Sequence, residues 1–145
     1  MTIIIYCDGG SLGNPGPAAI GAVIKDKKEN LLKKYGKEIG VKTNNQAEYE
    51  AIIFGLKKAK QIFGGEKIKK MTIEIRSDSE LIINQLNGKF KIKEKDLIPL
   101  FIEIWNLKTA LGNVVFKQIP REQSEEAHNA LSEALTQNKK NASLF

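Results

Sequence analysis

Thr2-Ile3-Ile4-Ile5-Tyr6-Cys7-Asp8-Gly9-Gly10-Ser11-Leu12-Gly13-Asn14-Pro15-Gly16-Pro17 passes from an unbroken apolar run to a loop of Gly, Ser, Asn and Pro within a single residue, Asp8. A short β-branched run without alternation predicts a strand buried on both faces, and such a strand lies inside a sheet with layers above and below it. The glycine, serine, asparagine and proline residues from Gly9 to Pro17 predict a loop. Sites in open α/β sheets form outside the carboxyl ends of strands, which is where Asp8 falls. Taken alone, an aspartate at this point is as well explained by a turn or a cap.

Outward from this stretch, Ala18 to Lys25 and Glu29 to Ile39 predict two further strands joined by the turn Asp26-Lys27-Lys28, an antiparallel meander. Asn45 to about Phe63 carries helical periodicity, with Ile52, Leu56, Ala59 and Phe63 on one stripe, Asn44 or Asn45 as the cap and Gly64-Gly65 as the stop. Met71 to Ile75 predicts a fourth strand and Glu80 to Leu86 a short helix. Leu97 to Leu111 predicts a helix, with Trp105 in its core face, and Val114 to Ile119 a fifth strand. A last helix is expected from about Ser124 to Leu135. The expected class is α/β, a five-stranded mixed sheet flanked by helices in the order β-β-β-α-β-α-α-β-α. Residues 1–136 are expected to form the domain and 137–145 a loose C-terminal tail ending Ser143-Leu144-Phe145.

The 145 residues suit one domain large enough to bury a core without staples. One cysteine, Cys7, excludes an internal disulfide and suits a reducing compartment. The apolar start is too short for a signal peptide and no run approaches a bilayer span, so a cytoplasmic monomer without membrane association is expected. The 23 Lys and Arg residues outnumber the 17 Asp and Glu, and the net charge of +6 favours an anionic partner.

Two more carboxylates join Asp8. Glu48 precedes Ile52 by four residues and Leu56 by eight, which puts it at the end of the buried stripe rather than on the wet face. A charge there needs a partner such as a cation. Asp78 ends the fourth strand in Ile75-Arg76-Ser77-Asp78-Ser79-Glu80. With the first strand central and the fourth beside it, three carboxylates meet at one sheet edge and repel one another unless divalent metal neutralises them. Oxygen ligands suit Mg²⁺ or Mn²⁺, and no Cys/His set exists for zinc. Paired metal ions of this kind serve phosphodiester cleavage.

Four motifs then resemble those of the type 1 ribonucleases H: Tyr6 to Pro17, Thr43-Asn44-Asn45-Gln46-Ala47-Glu48, Ser77-Asp78-Ser79 with Leu81 to Leu86, and Pro120-Arg121-Glu122-Gln123 with Glu126-Ala127. The match covers nearly the whole chain in order. It implies a ribonuclease H-like fold and hydrolysis of the RNA strand of RNA–DNA hybrids by two Mg²⁺ ions, with Mn²⁺ able to substitute, giving 5′-phosphate and 3′-hydroxyl ends. It implies metal ligation by Asp8, Glu48 and Asp78, and substrate contacts from Ser11, Gly13, Asn14, Thr43, Asn44 and Asn45. Small and short polar residues there suit a close backbone approach and recognition of a 2′-hydroxyl.

The family's fourth carboxylate, an aspartate opening the last helix, is missing from Glu125-Glu126-Ala127-His128-Asn129-Ala130-Leu131-Ser132. Matching the following leucine and small residue puts Asn129 in its place as metal ligand and catalytic residue; counting from the preceding Arg-Glu puts His128 there. Asn129 is preferred, since it keeps the shape of aspartate and a carbonyl oxygen. Either residue makes the site less negative, so weaker hold on a second metal and a preference for Mn²⁺ are expected, and the alternative is a low-activity or non-catalytic hybrid-binding protein. The family's loop histidine is also absent, leaving Glu122 or Glu125 to assist. In place of a basic protrusion stands Lys89-Phe90-Lys91-Ile92-Lys93-Glu94-Lys95, whose lysines can track phosphates or simply solvate an edge.

Overall fold

The expected apolar run becomes β1 (Thr2–Ser11) at the centre of the sheet, antiparallel to β2 (Gly16–Asp26) and parallel to β4 (Thr72–Ser77). With β3 (Leu31–Lys42) and β5 (Asn113–Gln118) at the edges, the five strands lie in the order β3-β2-β1-β4-β5. This computed structural model describes residues 1–143, with side chains as far as residue 137. The mixed sheet is the one expected, and helices cover both of its faces.

Strand alternation divides the core. Ile3, Ile5 and Cys7 of β1 pack with Ile52, Leu56 and Ala59 of α1 (Asn44–Phe63), while Ile4 and Tyr6 face the opposite way, toward Ala127 of α5 (Glu125–Ser143). The helical stripe of α1 is therefore buried as its spacing implies. Its cap differs from expectation. Thr43, not Asn44 or Asn45, is the N-cap: its hydroxyl accepts from the Gln46 amide at 3.1 Å, and the Gln46 side chain accepts from the Thr43 amide at 2.8 Å. This reciprocal pair satisfies two backbone amides at the start of the helix.

Gly64 ends α1 as expected, and a single further turn, α2 (Gly65–Ile68), leads into β4. Then come α3 (Glu80–Leu86) and α4 (Ile98–Ala110). Trp105 is not core. It stands 41% exposed on the outer side of α4 beside Ile98 and Ile102, with Phe101 against it and the Lys108 ammonium 4.6 Å from its ring centroid. The last helix is longer than expected: α5 continues through Ser143, into the segment expected as a loose tail. The expectation for Leu144 and Phe145 lies outside the described residues.

Two glycines set how closely the layers approach. A Cβ on Gly9 would sit 2.2 Å from the Ala47 carbonyl, so only glycine lets the start of α1 press against the end of β1. A Cβ on Gly21 would sit 1.9 Å from the Ala127 oxygen, so β2 admits α5 at backbone distance. The Lys25 ammonium reaches Glu126 at 2.6 Å and ties the first turn of α5 to the same strand.

Candidate active site

Register, more than any single side chain, assembles the site. Parallel pairing of β1 with β4 sets Ile4 against Glu74 and Tyr6 against Arg76. Two residues further on, the same register brings Asp8 level with Asp78, on the face toward α5. Glu48 arrives from the other side on the first turns of α1, admitted by Gly9, whose amide donates to Glu48 Oε1 at 3.3 Å. Carboxylate oxygens of Asp8, Glu48 and Asp78 lie within 4.8 Å of one another. The three residues line a cleft of about 410 Å³ together with Gly10, Ser11, Asn44, Arg121, Ser124 and His128.

The electrostatics are those of a cluster short of positive charge. Burial pushes the Asp8 carboxyl above its usual range and the Asp78 charge adds to that push, while hydrogen bonds from Glu48 and His128 draw it back. Glu48 is raised well above the ordinary value, first by burial, then by the charge of Asp8 and the close approach of its carboxyl, and further by the charge of Asp78. Glu48 opens slightly to the cleft but has protein on most sides, and the Ser77 hydroxyl reaches its Oε2 at 3.5 Å. Crowded oxygen donors of this kind fit a hard divalent cation. Cys7 belongs to the other face of β1, buried against α1, and burial pushes its thiol up, so it adds no thiolate to the set.

His128, and not Asn129, meets this cluster. His128 Nδ1 lies 3.0 Å from Asp8 Oδ2 at the mouth of the cleft. Asn129 is exposed and lines a separate hollow with Lys34, Ser132 and Glu133, so the register preferred from the sequence is corrected. The reason is the helical turn of about 100° per residue. With Ala127 and Leu131 buried against the sheet, His128 falls on the flank facing Asp8 and Asn129 on the flank facing β3. Two further cleft residues, Arg121 of the fourth motif and Ser124 at the expected helix start, were given no site role from the sequence. Buried Ser124 ends a 3₁₀ turn, Arg121–Ser124, whose short spacing carries no periodic signal.

The expected substrate-contacting residues are gathered beside the carboxylates. Asn44 Oδ1 accepts from the Ser11 amide and hydroxyl, each at 3.0 Å, and Asn14 Oδ1 accepts from the Asn44 amide at 2.9 Å. The Ser11 hydroxyl also reaches the Gly13 carbonyl. The glycine-rich loop and the start of α1 are thus one hydrogen-bonded rim, with Thr43 as the helix cap beneath it. Asn45 extends the rim by donating to Glu94 at 2.7 Å, which brings the lysine-rich segment from Lys89 to Lys95 alongside. Among the described residues no helix is long and apolar enough to cross a membrane.

Comparison with known proteins agrees with this architecture. The family described as "Reverse transcriptase-like" matches residues 6–134. Similar solved structures include the metagenomic LC11-RNase H1 from compost, with a TM-score of 0.89 and 45% identity over 94% of this chain and 97% of that one. LC11-RNase H1 has also been solved in complex with an RNA/DNA hybrid, at 44% identity and TM-score 0.89, covering 94% of this chain and 98% of that one. The ribonuclease H1 of Halobacterium salinarum follows, with a TM-score of 0.85 and 36% identity over 94% of this chain and 99% of that one. A bifunctional protein of Mycobacterium tuberculosis is 33% identical over 93% of this chain, which spans only 36% of that protein's length. Sheet order, carboxylate cluster and sequence agree, and the chain belongs to the type 1 ribonuclease H family.

Proposed function

We propose that this chain hydrolyses the RNA strand of RNA–DNA hybrids, leaving 5′-phosphate and 3′-hydroxyl ends, with two divalent metal ions, Mg²⁺ or Mn²⁺, held by Asp8, Glu48 and Asp78. The observation that carries the proposal is the meeting of these three carboxylates within 4.8 Å in an open cleft. Bound ions would supply the electrophilic pull on the scissile phosphate and lower the pKa of the attacking water. The remaining work falls to the chain. Asp8, Glu48 and Asp78 would hold the ions through their carboxylate oxygens, and the crowding that raises Glu48 would be relieved by their positive charge.

The rim formed by Ser11, Gly13, Asn14, Thr43, Asn44 and Asn45 holds the RNA strand in this proposal. Its short amides and hydroxyls suit the 2′-hydroxyl that separates RNA from DNA. The crystal structure of LC11-RNase H1 with an RNA/DNA hybrid supports this substrate class. Lys89, Lys91, Lys93 and Lys95 lie alongside and suit the phosphates of the DNA strand. All of these residues come from one chain, so one copy is taken as the working unit, with residues 1–136 as the catalytic domain in a reducing, cytoplasmic setting.

The test is cleavage of an end-labelled hybrid by the parent and by Asp8→Asn, with duplex DNA and duplex RNA of the same sequence as controls. Internal cuts confined to the RNA of the hybrid, and lost in Asp8→Asn, are the expected result. Equal cutting of duplex DNA, or full activity in Asp8→Asn, refutes the proposal.

A further inference from the structure

His128 lines the cleft of the three carboxylates and touches one of them, Asp8. Its Nδ1 is 3.0 Å from Asp8 Oδ2, and the ring is half exposed toward the cleft. The approach is built by the backbone. Gly21 lets Ala127 sit directly on β2, and the Lys25–Glu126 ion pair at 2.6 Å fixes the first turn of α5. Next along the helix, Asn129 faces away, so no amide oxygen takes this place.

An imidazole against one of three clustered carboxylates changes which cation the site accepts. Mg²⁺ demands near-ideal octahedral oxygen coordination and keeps its waters. Imidazole suits first-row transition ions, and nitrogen donors follow the affinity order that begins with Mn²⁺. We propose that His128 is a nitrogen ligand of this metal centre and makes it discriminate in favour of Mn²⁺ over Mg²⁺. This inference rests on the metal-dependent function proposed above. The competing role is a purely positioning one, in which the ring only holds Asp8 by the hydrogen bond between them.

Binding to the full chain, measured without nucleic acid, separates the two roles. Parent, His128→Ala and His128→Asp are titrated calorimetrically with MnCl₂ and with MgCl₂, and the Mn²⁺-loaded proteins are examined by pulsed electron paramagnetic resonance for ¹⁴N coupling. The expected result is imidazole-nitrogen modulation in the parent that vanishes in both variants. Alongside it, the Mn²⁺/Mg²⁺ affinity ratio should fall about tenfold when the carboxylate of His128→Asp restores an all-oxygen set. Because His128 is half exposed, both variants should fold, and their melting curves verify it. Tight Mn²⁺ binding without nitrogen modulation, or an unchanged affinity ratio, overturns the inference and leaves the metal-dependent reading standing. Failure of the parent to bind either ion, together with full hybrid cleavage by Asp8→Asn, overturns both.

Discussion

Replacing Glu48 with glutamine should stabilise the metal-free protein while ending hybrid cleavage. The oxygens of residues 8, 48 and 78 lie within 4.8 Å of one another. At that separation two full charges repel by about 1 kcal/mol in a water-like medium and by about 3.5 kcal/mol at an effective dielectric constant near 20. Glu48 meets two such neighbours, and burial and the Asp8 charge raise its pKa well above the ordinary value. A folded-state pKa raised in this way gives stability that is present below the ordinary glutamate value and is lost as pH rises through the raised one. Glutamine does not titrate. The difference between variant and parent should therefore be near zero at about pH 4 and open to about 1–2 kcal/mol in mildly alkaline buffer. For a domain of this size, that corresponds to a melting temperature higher by about 2–8 °C. Scanning calorimetry in chelator across this pH range measures it directly. Saturating divalent cation should reverse the order, adding about 2.7 kcal/mol to the parent at a hundred times Kd and less to the variant. A parent at least as stable as Glu48→Gln at every pH in chelator, or a gap that narrows as pH rises, refutes the reasoning.

The packing predicts further outcomes. Gly21→Ala puts a methyl 1.9 Å from the Ala127 oxygen, so α5 must shift; a loss of about 3 kcal/mol, seen in denaturant melts, is expected. Asn129→Asp changes a residue on the far flank of α5, and hybrid cleavage should stay within about twofold of the parent in initial-rate assays. Lys91→Ala and Lys93→Ala should each lower the slope of log affinity against log salt by about one unit, read by hybrid binding at several ionic strengths. An unchanged slope would assign that segment to solvation alone.

The sheet was legible because its central strand has no competing interpretation. An apolar run of β-branched residues broken at Asp8 can only be interior, and short connections to two more strands leave few topologies. The partnership of Asp8, Glu48 and Asp78 followed from the same logic, since strand ends and helix starts on one edge of a sheet converge whatever the loops do. The cap of α1 was less legible. Thr43, Asn44 and Asn45 are all competent caps in a row, and only the reciprocal bond with Gln46 chooses among them. Trp105 misled for a different reason. Apolar residues surround much of α4, so no stripe marks its inner side, and the structure leaves Ile98, Ile102 and Trp105 outward.

The fourth position of the site shows where motif matching and helix periodicity part company. Aligning a leucine and a small residue selects Asn129, because local similarity scores neighbours in the chain. A helix instead groups residues three, four and seven apart. Ser124, Ala127, Leu131 and Leu135 are buried. His128 stands four residues after Ser124, three before Leu131 and seven before Leu135, so it borders the buried stripe on the flank toward Asp8. Asn129 stands four after Glu125, three before Ser132 and four before Glu133, none of which is buried. The periodicity needed to choose the histidine was thus present in the sequence. It became decisive only once Gly21 was seen to hold Ala127 against β2, because that contact fixes the rotation of the whole helix and points the following residue at Asp8.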